Sequence, residues 1–226
     1  MIFLANSSLV FRKYRMTWPT NPVWIPQFTT LPKSARIDTV FWGERAVMRI
    51  DEAWPTCCGS PLFLVAQINT EKLPDPFRKP KYMWQIFACE KCKTPTARSV
   101  SPAVAGWKEQ EAPVSKPCMR VEKWVENTGG DCMHPEEAEL VTGKVYSVDD
   151  WVKMATMCLR GPKLGGSAVW LQPMVRRSCS LCGVNLRHCL TLEADHINWG
   201  GVHDSLLALF CCFEHPDQLE LLVLVP

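Results

Sequence analysis

The chain has 226 residues, 47% of them hydrophobic and 21% charged, and its 25 Lys+Arg against 23 Asp+Glu leave a net charge of +2. That length suffices for a sizeable core, the near-balance of charge carries no polybasic signature for nucleic acid or acidic lipid, and no apolar run approaches the ~18 residues of a membrane span. Twelve cysteines are the unusual count, and they call for either a disulfide framework or metal.

Residues 1–15 are expected to be a disordered extension. The apolar stretch MIFLANSSLVF is followed, not preceded, by Arg12, Lys13 and Arg15, which is the wrong order for a secretory leader. The expected location is therefore the cytosol, where thiols stay reduced and paired cysteines serve as metal ligands. Residues 16–40 hold four prolines and read as an extended, wrapping segment.

Residues 41–92 form a first unit with a period of two. Leu62, Leu64, Ala66 and Ile68 are assigned to one strand face, and Phe63, Val65, Gln67 and Asn69 to the other. Residues 82–88 are the partner strand. Residues 93–163 connect this unit to the next and carry the strongest helical signal. His134-Pro135-Glu136-Glu137 places proline at a first helical position with acids in the first turn. Ser147-Val148-Asp149-Asp150 is a capping-box variant opening a helix near 148–160, with Trp151, Met154, Met157 and Cys158 on one face and Gly161-Pro162 as the stop. Residues 164–215 form a second unit, with Leu186, His188, Leu190 and Leu192 on the face that matches Leu64, and 205–211 as partner strand. His188 reads as a satisfied core histidine. The terminal LELLVLVP is a last strand. The fold class that follows is α+β and β-rich: an internally duplicated, pseudo-twofold, mostly antiparallel sheet with zinc-knuckle-like turns and a few short helices. The whole of 16–226 is one duplicated domain.

The repeat carries ligand chemistry. Cys58-Gly59 recurs as Cys182-Gly183, and Phe87, Cys89 and Cys92 recur as Phe210, Cys212 and His215. A packing position would not exchange cysteine for histidine, whereas a zinc site accepts thiolate or imidazole. Cys179, Cys182, Cys212 and His215 are one candidate site; the register matches Cys212, not Cys211, to Cys89. Three thiolates and an imidazole fill a tetrahedron and leave no open position, which is a structural site. Cys57, Cys58, Cys89 and Cys92 are the second candidate set. Its vicinal pair lacks a spacer, and adjacent strand residues point to opposite faces. Cys118, Cys132 and His134 are alternative fourth ligands for it. One zinc ion is expected, and a second if the first unit finds its ligand.

On these residues the chain resembles the YwqG-like family. The resemblance is carried by Trp54-Pro55-Thr56-Cys57-Cys58-Gly59-Ser60-Pro61-Leu62, then FLVAQI, then KLGGSAVWLQP from Lys163 to Pro173, then CSLCG and FCCFEHP. It covers most of residues 40–222, and the first blocks are also similar to the N-terminal part of proteins like programmed cell death protein two. The resemblance implies a duplicated β-rich fold. It implies no established activity for the bacterial branch and chaperoning of a ribosomal protein for the eukaryotic one. Two departures stand out: the missing spacer in the first knuckle, and a WGD-G block that reads Trp199-Gly200-Gly201-Val202-His203-Asp204, with its acid displaced.

The function expected is that of a non-enzymatic, zinc-stabilised cytosolic binding protein, a protein-partner or chaperone-like module. No nucleophile elbow, phosphate loop, zinc-protease or dinucleotide motif is present in the sequence. An enzyme built on Asp195, His196, His203 and Asp204 is the alternative from a different class, and a toxin-neutralising immunity protein is a third.

Overall fold

Alternating and continuous apolar runs make strands here, and strands are the dominant element of the computed structural model. It describes residues 20–30, 39–79, 81–101, 106–113, 119–159, 161–167, 177–193 and 206–224. The expected extension at 1–15 lies outside them. In chain order the elements are β1 (Thr20–Asn21), β2 (Val23–Thr30), β3 (Val40–Gly43), β4 (Arg45–Arg49), β5 (Thr56–Cys57), β6 (Ser60–Pro61), β7 (Phe63–Asn69), β8 (Met83–Ala88), β9 (Pro95–Val100), β10 (Trp107–Glu111), β11 (Met119–Glu126) and β12 (Asp131–Cys132). Two helices follow, α1 (Pro135–Thr142) and α2 (Val148–Met157), and then β13 (Lys163–Gly165), β14 (Arg187–Glu193), β15 (Leu206–Cys211) and β16 (Leu219–Leu224). The architecture is β-rich α+β, with antiparallel pairing throughout the main sheet.

That sheet has ten strands in the order β16-β15-β14-β13-β2-β11-β3-β7-β8-β9. It curls until its two edge strands, β9 and β16, lie beside one another, so each edge is shielded by the other. The concave side encloses one apolar cluster drawn from both ends of the sheet, with Phe63, Val65, Ala66, Ile68, Trp84 and Ile86 meeting Leu190, Leu192, Leu207 and Leu209. Each such side chain, fully buried, contributes about 1.5–3 kcal/mol before the entropy of ordering is subtracted. On the convex side the β4–β10 ladder covers Leu62, Leu64 and Phe87 together with Ala46, Met48 and Trp54.

Three expectations need correction. Residues 23–30 do not wrap the domain; they are a central strand paired with β11 and β13. Pro26 is tolerated there because β13 reaches only Val23 and Trp24, so at Pro26 the strand has a single ladder neighbour. The connecting region does hold both helices, but it is not otherwise loop, since β9, β10 and β11 also come from it. Finally, strict alternation fails in β7 and β14. A bulge between Leu64 and Ala66, and another between His188 and Leu190, each add one residue. Ala66 and Ile68 consequently share the inner cluster with Phe63 and Val65, while Leu64 faces outward.

The helices follow their caps. His134 is the N-cap of α1 with Pro135 in its first turn, and Ser147 and Asp150 form a reciprocal capping box on α2. α2 stops at Met157, three residues short of the expected end. The chain is captured there: Leu159 N donates to Asp131 Oδ1 at 2.8 Å, and Leu159 O accepts from Lys163 Nζ at 2.9 Å. Helix formation loses to a buried ion pair that needs those two backbone groups.

Candidate metal centres

Local backbone builds both ligand groups. Before β14, Cys179 N donates to Val184 O (2.8 Å) and Gly183 N to Cys179 O (2.9 Å), with Gly183 in the left-handed region at φ 71°. This turn presents Cys179 and Cys182. Between β15 and β16, Cys212 N donates to Gln218 O (3.2 Å) and Gln218 N to His215 O (2.9 Å), and Ser180 Oγ donates to Gln218 Oε1 at 2.7 Å, tying the two loops together. The result is a four-atom cluster. Cys179 Sγ lies 3.6 Å from His215 Nδ1, Cys182 Sγ 3.7 Å from Cys212 Sγ, and Cys212 Sγ 3.7 Å from His215 Nδ1. All four ligand atoms fall within 4.8 Å of one another. A tetrahedron with bonds of ~2.3 Å to sulfur has edges of about 3.8 Å, so these separations suit one ion.

The first group is complete as well, which corrects the expected obstacle. Cys57 ends β5, Cys58 and Gly59 are the two loop residues, and β6 begins at Ser60. Both loop residues have positive φ, 53° at Cys58 and 71° at Gly59, as a two-residue type I′ hairpin turn requires. Because Cys58 lies in the turn and not in a strand, its thiol is free to swing to the same side as that of Cys57. The two sulfurs are 3.7 Å apart, and Cys57 Sγ is 3.3 Å from Cys92 Sγ. Cys89 completes a set of four within 4.8 Å. On the other strand pair, Cys89 N donates to Thr94 O (3.0 Å) and Lys93 N to Cys89 O (3.1 Å), folding the chain so that Cys92 returns. The alternative fourth ligands are not used: Cys132 is buried where Cys158 Sγ reaches its carbonyl (3.7 Å), and His134 caps α1. Cys118 lies outside the described residues.

The thiols are already biased. The Thr94 hydroxyl, with Cys57 and Cys89, holds Cys92 down at about 6, and Cys57 is pushed up to about 12 by Cys92 and its other cysteine neighbours. For Cys179, burial opposes ionisation, but the backbone N–H groups of Leu181 and Cys182 outweigh it and bring the thiol to about 7. The four clustered ligand atoms of each group could hold a metal ion, which would take the place of shared thiol protons.

Cys211 is separated from the ligands, as the register implied. It bonds to Cys189 across β14 and β15 in a disulfide buried in the inner core, which departs from the expectation that the thiols stay reduced. Sequence reasoning did not foresee that pairing, because Cys189 occupies the bulge and its partner follows only from the register. His188 has both nitrogens engaged, with Nδ1 3.3 Å from Gly166 O and Nε2 2.9 Å from Thr191 Oγ1. Burial, aided by Lys163, lowers it to about 4, so it is neutral. Asp195, His196, His203 and Asp204 lie outside the described residues. Compared with protein-family models and with curated proteins, the chain matches none. No helix among the described residues is long and apolar enough to cross a membrane.

Proposed function

We propose that this chain is a non-enzymatic, zinc-stabilised binding protein of the cytosol, of the YwqG-like type, built from two copies of a β-rich unit that each end in a zinc knuckle. The observation that carries the reading is the pair of four-ligand clusters, Cys57, Cys58, Cys89 and Cys92, and Cys179, Cys182, Cys212 and His215. Strand order supports the duplication: read outward from the central β2–β11 pair, β3, β7, β8, β9 on one side mirror β13, β14, β15, β16 on the other. The two bulges fall at corresponding positions of β7 and β14. The first turn is two residues shorter than the second, and the type I′ hairpin absorbs the deletion while keeping both thiols.

Four protein ligands leave no coordination position for substrate, so each ion staples loops instead of performing chemistry. Binding energy of this kind is apparent folding energy, on the order of 10 kcal/mol. For the binding role, the helix pair displays unpartnered aliphatic surface. Leu140, Val141, Val145, Val148 and Val152, on the two helices and the loop between them, are all exposed, at 49–82%, and offer apolar surface to a partner.

Elemental analysis of protein purified under reducing conditions tests the metal reading. Two zinc ions per chain are expected. One ion would restrict the site to the second group, iron would overturn the choice of metal, and none would remove the reading. Co-purification of a stoichiometric partner from the native cell tests the binding role; a chain that elutes alone would count against it.

A further inference from the structure

A cleft of about 480 Å³ opens between α1, β13 and the start of β14. That is within the ~300–1,000 Å³ typical of ligand sites. Its floor is Gly165-Gly166, both with positive φ, where β13 breaks off and β14 runs on. One wall is aromatic: Trp24 meets Phe77 edge-on at 5.7 Å, and Phe77 meets Phe213 at 5.6 Å.

The cleft is also lined by a carboxylate, Glu137 of α1. Its Oε2 accepts from Asn21 Nδ2 at 3.0 Å, and the Ser167 hydroxyl is a second neutral partner. Burial holds this carboxyl above the usual carboxylate range, with those two hydrogen bonds working the other way. Among the described residues no lysine, arginine or histidine lies within ion-pair reach of it. A carboxylate held by neutral partners alone can accept a charge-assisted hydrogen bond from a cation delivered into the site. One turn further along the same helix face, Leu140 and Val141 are 68% and 65% exposed. Arg187 lines the same cleft, and its guanidinium sits 5.0 Å from the centre of the Phe213 ring. It repels a cation on that side, so an incoming positive group is favoured at Glu137.

We propose that this cleft takes an extended segment of a partner protein through a lysine or arginine side chain. The head group pairs with Glu137, the aliphatic stem lies on the aromatic wall, and a neighbouring apolar residue of the segment packs on Leu140 and Val141. The inference rests on the protein-partner reading above and names the chemistry of the partner. A peptide fits better than a small free amine, because the exposed aliphatics continue beyond the cleft along α1.

The test is a selection of phage-displayed dodecapeptides on the full-length, metal-loaded chain, run in parallel on two variants. Glu137→Gln keeps one acceptor oxygen for the Asn21 amide and removes the charge. Leu140→Lys sets a competing cation three residues from Glu137 at a solvent-exposed position, where folding is not at risk. Enrichment of one basic residue beside apolar ones on the wild type, lost on both variants, is expected. Fluorescence polarisation with the enriched peptide should then show a roughly tenfold or greater loss when its basic residue becomes glutamine or when Glu137 does. Enrichment without a basic residue, enrichment indifferent to both variants, or no enrichment at all would each overturn the proposal. A stoichiometric partner co-purifying from cells in any of those cases would leave the broader binding role standing, so the two failures are distinguishable. Folding of Glu137→Gln is checked by urea titration. Because burial raises the folded-state pKa of Glu137, the proton is held more tightly in the folded chain, and stability from this group is present at acid pH and lost as pH rises. At pH 7–8 the variant should therefore be no less stable than the wild type.

Discussion

Lys163 and Asp131 are both fully buried, with Nζ and Oδ2 2.5 Å apart. Neither charge survives alone in such a place, and the surroundings are arranged so that neither is alone. Asp131 also accepts from Leu159 N and from Ser167 N (3.1 Å), and Lys163 also donates to Leu159 O. The pair thus ties β12, the end of α2 and the Gly165-Gly166 turn to one point beneath the cleft. A buried pair is weak evidence of net stabilisation, since its desolvation cost is comparable to its attraction, but a half-pair is strongly unfavourable. Lys163→Met should cost about 3–5 kcal/mol in urea unfolding, and Lys163→Met with Asp131→Leu should recover part of that loss. A double variant as unstable as the sum of the singles would mean that the two residues act independently and that the attraction between them is immaterial.

At the scale of the element, two glycines in left-handed backbone separate conformational cost from steric cost. Gly59 (φ 71°) closes the β5–β6 hairpin, and a Cβ added there meets nothing within 4 Å. Gly166 (φ 67°) has the Asp131 carboxylate against the place a Cβ would occupy. Gly59→Ala should then cost roughly 1–2 kcal/mol, the backbone term alone, and Gly166→Ala distinctly more, because it also dislodges the buried carboxylate. Equal shifts of the urea midpoint would contradict this account. The same two elements show what a sequence discloses. The period of two, the cap residues His134, Ser147 and Asp150, and the recurrence of cysteine at matching positions were all readable, because each is a local rule with a local cause. The bulges at Val65 and Cys189 were not, because one extra residue in a strand looks like ordinary alternation until the partner's register is known. The vicinal Cys57-Cys58 pair was misjudged for a related reason. Strand geometry forbids two adjacent ligands on one face, but a type I′ turn permits it, and only pairing tells the two apart. The cleft and the Lys163–Asp131 pair had no signal, since they join residues that are distant in sequence and individually ordinary.

Across the whole molecule, the two halves of the curled sheet cannot be treated as separate folding units even if they arose by duplication. Their inner faces share one apolar cluster. Trp84 of β8 donates to Pro216 O at 3.3 Å, next to the candidate ligand His215, so the loop of the second cysteine–histidine group is pinned to a strand that belongs with the first. On the proposed metal reading, loss of an ion from that group would free a loop tied to the common core. Such shared burial makes unfolding cooperative, whereas two independent cores would melt separately. Cys182→Ser removes a ligand that is itself exposed and whose backbone lies in a turn, so its effect reports on metal and not on packing. Scanning calorimetry of that variant should show one transition, as in the wild type, displaced downward by well over 10 °C. A 226-residue domain moves by only about 2–4 °C per kcal/mol, and a structural metal supplies many kcal/mol. Splitting into two transitions, with the upper one unmoved, would mean that the first half keeps its own core, and the curled sheet would then be two abutting domains in place of one. An unchanged single transition would mean that the second cluster contributes nothing to the fold, and the zinc-staple reading would fall with it.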